Sequence, residues 1–241
     1  MKRIAVIFAG GVGARMKNSK TPKQFLEWNG RPILIQTLDV FEQTEAIDGI
    51  VLACKAEWID HTKQLIEKAG LQKVLSIVPG GESALESQYN GLVEAKRLFP
   101  DDAVTVLIHD GNRPLVSNDI ISDALATYQQ FGNAVAAIPT TEVVFVLENS
   151  QSTSSTEALN RDLLRRTQTP HVYHLDNILS LHEKALENGI TDVAASCQLM
   201  QLFGEKSYFS LGSEKNLKIT TVEDLDIFKA LLNSTRDKWI K

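Results

Sequence analysis

RIAVIFAGGVGARMKNSKTPKQF, residues 3 to 25, decides how the rest of the chain is read. Ile4, Ala5, Val6, Ile7, Phe8 and Ala9 form an unbroken apolar run, the pattern of a parallel strand buried on both faces. The run passes straight into Gly10-Gly11-Val12-Gly13. Glycines let backbone turn sharply and approach a ligand without a Cβ in the way. Successive N–H groups in such a turn make a nest for an anion. Arg15 and Lys23 set two cations beside it. A tight turn is the plain reading of the glycines alone; with Arg15 and Pro22-Lys23-Gln24 the stretch reads as a polyphosphate site. It is neither a Walker A loop nor a dinucleotide fingerprint, because no Gly-x-x-x-x-Gly-Lys-Ser/Thr occurs and Met16 takes the third fingerprint glycine position.

The chain has 241 residues, which suits one large α/β domain or two small ones and is ample for a sizeable core. Its 43% hydrophobic and 23% charged residues suit an ordinary globule. A net charge of −5 argues against broad binding to nucleic acid or an acidic membrane, so any anion site must be local. The two cysteines, Cys54 and Cys197, sit on separate apolar segments and read as buried free thiols of a reducing compartment. The opening residues lack the features of a signal peptide, and no apolar run nears the ~20 residues that span a bilayer. The expectation is a cytoplasmic protein.

Strand and helix patterns alternate through the first 140 residues. Strands are expected at 4–9, 49–54, 74–78, 104–108 and 134–138, and helices at 32–41, 58–69, 83–98 and 118–131. That rhythm predicts a mostly parallel sheet with helices on both faces, with ligands beyond the carboxyl ends of its strands. The loops after residues 9, 78 and 108 then share one rim. At about Thr140 the rhythm breaks. Thr141 to Glu148 alternates like a ribbon, Asn149 to Thr156 is a polar tip, and Leu163 to Thr169 reads as the returning strand. Two-stranded hairpins are weak alone. This one is either a surface hairpin or an arm embracing a second subunit. Beyond it, helices are expected at 175–187 and 192–203, strands at 206–211 and 216–220, and a last helix capped by Thr221 and Asp224.

The first stretch, A-G-G-x-G-x-R-M followed by P-K-Q-F, resembles the cytidylyltransferases that couple CTP to a polyol phosphate. That group includes the 2-C-methyl-D-erythritol 4-phosphate and the D-ribitol 5-phosphate enzymes. The likeness covers nearly the whole chain. Gly80-Gly81-Glu82-Ser83-Ala84-Leu85-Glu86-Ser87 resembles the family's G-G-x-x-R-x-x-S-V, with Ala84 in place of arginine. His109-Asp110-Gly111-Asn112-Arg113-Pro114 looks like H-D-A-A-R-P, and Asn216-Leu217-Lys218-Ile219-Thr220-Thr221 like N-I/L-K-I-T-T.

The resemblance implies a single Rossmann-like three-layer domain over 1–241, with a protruding β-arm at 140–170 that crosses a homodimer interface. It assigns the nucleotide to Ala9, Gly10, Gly11, Gly13, Gly81, Glu82, Ser87 and Asp110, with Glu82 and Ser87 on the cytosine. It assigns the reacting phosphates to Arg15, Lys23 and Lys218, and the acceptor to Asp110, Arg161, Thr191 and Lys218. Each assignment has a plainer counterpart. Glu82 and Ser87 suit any helix start, and Asp110 an Asp-Gly turn. Arg113 suits a loop brace, Thr191 a helix cap, and Arg161 a solvated arginine. Lys218 in an apolar pattern wants a partner, which a phosphate would supply. Mg²⁺ or another divalent cation is implied as cofactor, with no side chain assigned as its direct ligand and Asp110 as the candidate.

On the arm, Glu142-Val143-Val144-Phe145 replaces a D-T-x-K-like segment of the methylerythritol phosphate enzymes, and His171 replaces the last residue of Q-T-P-Q. The texture of Pro22–Glu27, Arg31–Ile35 and Asn216–Val222 follows the ribitol phosphate branch. The expected reaction is therefore CTP plus D-ribitol 5-phosphate giving CDP-ribitol and pyrophosphate, for wall or capsule polymers. The methylerythritol reaction is the alternative, and a nucleotide-binding module without catalysis the alternative of another class.

Overall fold

The computed structural model describes residues 1–10, 22–191 and 193–233. In chain order its strands and helices are β1 (Lys2–Ala9), β2 (Glu27–Trp28), β3 (Arg31–Pro32), α1 (Ile33–Gln43), β4 (Gly49–Cys54), α2 (Ile59–Ala69), β5 (Val74–Pro79), α3 (Ala84–Leu98), β6 (Val104–Asp110) and α4 (Asn118–Phe131). There follow β7 (Asn133–Pro139), β8 (Val144–Val146), β9 (Glu157–Leu159), β10 (Arg165–His174), α5 (Leu175–Glu187), α6 (Ser196–Leu202), β11 (Phe209–Leu211) and α7 (Val222–Asn233).

Seven strands form the central sheet in the order β11-β7-β10-β6-β1-β4-β5. Strand β1 pairs in parallel with both β4 and β6, and β4 with β5. β10 alone runs against its neighbours, β6 and β7. The apolar runs of β1, β4 and β6 earn their place in the middle of the sheet, since both faces of each are covered. Alternate residues of β1 split between the faces. Ala5 and Ile7 pack on Leu34, Leu38 and Phe41 of α1, Ile66 of α2 and Ile121 of α4. Ile4 and Val6 pack on Leu85 and Leu92 of α3, Ile178 of α5 and Leu199 of α6. That is the expected three-layer sandwich. Helix α3 lies close on β1: a Cβ on Gly91 would stand 2.5 Å from Val6 Cγ1.

Four segments depart from the sequence expectation. Strand β8 pairs with β9, so the hairpin returns through Glu157–Leu159. Of the segment expected to return it, Leu163 to Thr169, Leu163 ends a 3₁₀ turn and Arg165 onward opens β10 in the central sheet. The helix expected from residue 192 starts only at Ser196; Asp192 lies outside the described residues. The strand expected at 206–211 is confined to Phe209–Leu211. Asn216 to Thr220 is extended but joins no sheet. Its partners are loop atoms, as described below. The expected cap of the last helix is complete: Asp224 accepts from the Thr221 N–H at 2.8 Å, and the Asp224 N–H donates to Thr221 Oγ1 at 3.2 Å. No helix among the described residues is long and apolar enough to cross a membrane.

Candidate active site

The carboxyl ends of β1, β5 and β6 meet at one rim, as parallel strands should. Between them lies a cavity of about 230 Å³ lined by Ala9, Gly10, Lys23, Glu82, Ser87, Asp110, Asn112 and Lys218, with neighbours. Five expected residues from four separate motifs, Lys23, Glu82, Ser87, Asp110 and Lys218, thus line one cavity with Ala9 and Gly10. Gly11, Gly13 and Arg15 lie outside the described residues.

The floor is built tightly. The Ser87 hydroxyl accepts from the Gly81 N–H at 3.1 Å and donates to the Ser83 carbonyl at 2.9 Å. A Cβ on Gly10 would come within 2.7 Å of Ser87 Oγ. Glycine is required there because the strand end and the α3 loop almost touch. Ser83 caps α3 by accepting from the Glu86 N–H, and Glu86 in turn accepts from the Glu82 N–H at 2.8 Å. Glu82 itself is exposed and faces the cavity. On the opposite wall a single 3₁₀ turn, Lys23–Phe25, carries Lys23. Gln24 anchors that turn by donating to the Ala9 carbonyl at 2.8 Å, and Phe25 stacks on Trp58 with ring centroids 4.6 Å apart.

Asp110 is the electrostatic centre. Its Oδ1 accepts from Lys218 Nζ at 2.6 Å and its Oδ2 from Arg113 Nε at 2.8 Å. Burial opposes ionisation of this carboxyl, but the Lys218 and Arg113 charges outweigh it and hold the group below the ordinary carboxylate range. Arg113 is a brace: its Nη1 donates to the Asn216 carbonyl at 2.6 Å. Asn112 completes the brace. Its side-chain amide donates to the Ile219 carbonyl at 2.5 Å, and its own carbonyl accepts from the Ile219 N–H at 2.9 Å. Asn216 donates to the Thr169 carbonyl at 2.9 Å. These four bonds explain why residues 216–220 need no sheet. The segment is fastened on either side of Lys218, whose ammonium then leans on Asp110.

Sequence reasoning singled out neither Asn112 nor Gln24 as a contributor. Each is polar at a position flanked by motif residues, and each proves to be nearly fully buried with its amide spent on backbone. The usable signal was an amide side chain inside a strongly patterned segment.

Behind Asp110 a second cavity of about 140 Å³ shares Phe8, Asp110 and Lys218 with the first, and is closed by Gln88, Thr169 and His171 among others. Thr169 Oγ1 accepts from the Asp110 N–H at 3.1 Å. Burial pushes the His171 imidazole down to about 4 and His109 to about 3, so both rings stay neutral. His171 Nδ1 lies 2.8 Å from Ser196 Oγ. Of the residues assigned to the acceptor, Asp110 and Lys218 stand between the two cavities. Thr191 lines a different, neighbouring cavity with Glu82, Tyr89 and His182. Arg161 is exposed on the hairpin side, its Nη1 donating to the Thr141 carbonyl at 2.7 Å.

The profile of the IspD family, described as 2-C-methyl-D-erythritol 4-phosphate cytidylyltransferase, matches residues 3–234. This chain belongs to that family. Among its relatives, a ribitol-5-phosphate cytidylyltransferase of Streptococcus agalactiae serotype V is 40% identical over 100% of this chain and 99% of its own. A 2-C-methyl-D-erythritol 4-phosphate cytidylyltransferase of Clostridium botulinum is 36% identical over 95% of this chain and 98% of its own. The crystal structure of the 4-diphosphocytidyl-2C-methyl-D-erythritol synthase from Anaerococcus prevotii superposes with a TM-score of 0.81 at 28% identity, covering 97% of this chain and 96% of that one. The fold and the enzyme class of the IspD family are therefore those expected from the sequence.

No group of three or more His, Cys, Asp or Glu side chains among the described residues is arranged to hold a metal. Asp110 and Glu82 are the carboxylates on the larger cavity, and both Asp110 oxygens already receive cations.

Proposed function

We propose that the protein transfers the cytidylyl group of CTP to D-ribitol 5-phosphate, giving CDP-ribitol and pyrophosphate. The observation that carries this reading is the pair of cavities joined at Asp110 and Lys218, one for each substrate. The triphosphate lies over Gly10 beside Lys23, with Arg15 as a further cation. The base lies over the α3 loop against Glu82 and Ser87. An oxygen of the acceptor phosphate attacks the α-phosphorus, and the bond from that phosphorus to the departing pyrophosphate breaks. The protein needs to form no covalent bond itself, so its work is orientation and neutralisation of charge. Lys218 meets both phosphates, and Asp110 holds it there.

The choice of ribitol phosphate is supported by the Streptococcus relative, and by Val143 and Phe145 where the methylerythritol branch differs. Asp110 would be the side chain to hold a Mg²⁺ ion arriving with the triphosphate, sharing its carboxylate with Lys218 and Arg113. Such an ion would supply charge neutralisation on the triphosphate.

The functional unit in this reading is a homodimer. Val143, Phe145 and Leu163 are 63%, 57% and 80% exposed on the hairpin region. Apolar side chains grouped on a protruding ribbon call for a covering surface, and a second copy of this chain offers one. Arg161 then serves the partner's acceptor phosphate, for which a guanidinium fork is suited. The buried, unpaired Cys54 and Cys197 support the cytoplasmic expectation.

The test is pyrophosphate release from CTP with ribitol 5-phosphate, methylerythritol 4-phosphate and other polyol phosphates offered singly. Release with ribitol 5-phosphate is expected. Release with methylerythritol phosphate alone would reassign the acceptor, and silence with every acceptor despite CTP binding would make the protein a binding module.

A further inference from the structure

Helix α3 touches both cavities with consecutive residues. Ser87 faces the nucleotide side and Gln88 the smaller cavity behind Asp110. Gln88 is only 2% exposed, and its Oε1 has no hydrogen-bond partner. A buried amide oxygen left unpaired is costly, so it marks a place where a donor is missing. The family pattern that this loop resembles has valine here, which would leave nothing to satisfy.

The surroundings define what the donor is. The cations on this cavity are confined to one side: Lys218 is held by Asp110, and Arg113 is committed to Asp110 and the Asn216 carbonyl. The other polar side chains are uncharged, namely Thr167, Gln168, Thr169 and the neutral His171. A second phosphate would find both cations already engaged, and an ammonium would meet only Asp110, already paired with Lys218 and Arg113. A hydroxyl suits it, since an amide oxygen accepts and an alcohol donates.

We infer that Gln88 is a specificity-determining residue for the acceptor, its Oε1 accepting a hydrogen bond from one hydroxyl of the polyol chain while the acceptor phosphate stays with Lys218. This rests on the acceptor being a polyol phosphate, as proposed above. The same helix turn then reads both substrates, the nucleotide through Ser87 and the polyol through Gln88.

Steady-state kinetics of wild type and Gln88→Val with CTP, ribitol 5-phosphate and a set of singly deoxygenated ribitol 5-phosphates test this. Gln88→Val should raise KM for ribitol 5-phosphate about 10-fold, the worth of one neutral hydrogen bond, with kcat and the KM for CTP within about twofold. One deoxy compound should show the same rise with wild type, and Gln88→Val should add nothing further to it. Should valine unsettle the helix in a thermal melt, Gln88→Met, closer in length, goes through the same series. Unchanged KM for ribitol 5-phosphate in the folded variant, or an equal loss on every deoxy compound, overturns the inference while leaving the enzyme's reaction intact. A wild type inert with all polyol phosphates overturns both.

Discussion

Lys218 Nζ lies 2.6 Å from Asp110 Oδ1, although 108 residues of chain separate them. The pair ties the carboxyl end of β6 to the extended segment before α7. Replacing Lys218 by methionine removes the cation on which, in the proposed reaction, both phosphates meet. Turnover should fall on the order of 10²–10³, by analogy with loss of one preorganised donor. Asp110 is buried and would keep only Arg113 as a cation, so the urea midpoint should fall as well. Pyrophosphate release and urea unfolding on one preparation check both; near-normal turnover would remove Lys218 from its role.

Asn112→Ala keeps Lys218 but loosens its mooring, since the Ile219 carbonyl loses its amide donor. Stability should drop by about 1–2 kcal/mol. The larger effect should be on kcat, because a small misplacement of a charge-bearing group is costly in a reaction that depends on orientation. A variant that unfolds earlier yet turns over like wild type would reduce Asn112 to a purely structural residue.

Gly10→Ala tests the floor of the nucleotide cavity. The new Cβ would stand 2.7 Å from Ser87 Oγ, so either the β1 end or the α3 loop must move. CTP affinity measured by titration calorimetry should fall at least 10-fold with the circular dichroism spectrum unchanged. Wild-type affinity would mean that the nucleotide does not use this corner.

His109, His171 and His182 are buried and pushed from 6.5 to about 3, 4 and 4, in each case chiefly by burial. Their folded values lie below their unfolded ones, so between about pH 4 and 6.5 the unfolded chain binds more protons. The stability they confer is whole above pH 6.5 and is lost as pH falls towards the folded values. From pH 7 to 5 each should cost about 1–2 kcal/mol. Guanidinium midpoints across that range should decline, and His182→Leu, away from the Asp110 pair, should flatten the slope by one histidine's share. A level profile would contradict the burial of these rings.

The proposed dimer predicts complementation. Arg161→Ala and Lys218→Ala should each be poorly active. Co-expressed, they should regain part of the wild-type rate, because one of the two sites in a mixed dimer then has both residues. Phe145→Glu should sediment as a monomer. Failure of the mixture to recover, with dimers present, would put Arg161 in its own subunit's site or in none.

The parallel core was legible because its signals are strong and local. Gly49–Cys54 and Asn118–Phe131 begin and end where the pattern says, as a fully apolar run and an amphipathic helix ended by Gly132 should. The meeting of residues at one rim was legible where a charged residue stood beside an apolar pattern, as with Asp110 and Lys218, although the partner Lys218 finds is Asp110 where a phosphate was expected. Reading failed where long-range contacts decide. Residues 216–220 look like a strand, but Arg113 and Asn112 take the backbone of Asn216 and Ile219, and the Asn216 amide reaches the Thr169 carbonyl, so the segment is held without a sheet partner. Leu163 to Thr169 reads as the hairpin's returning strand by its position after the polar tip, yet from Arg165 on it pairs with β7. No local pattern could announce Gln88, whose meaning depends on which cavity lies opposite.

Strand β10 runs against its neighbours, so its first residues, not its last, stand at the rim beside Asp110. Chain arriving from the hairpin passes that rim before it dives into the core. Grafting a relative's hairpin together with the opening of β10 would therefore refit the acceptor's surroundings and leave the nucleotide half untouched. Preference for one sugar alcohol over another can drift by exchange of a surface appendage, with no renegotiation of the interior.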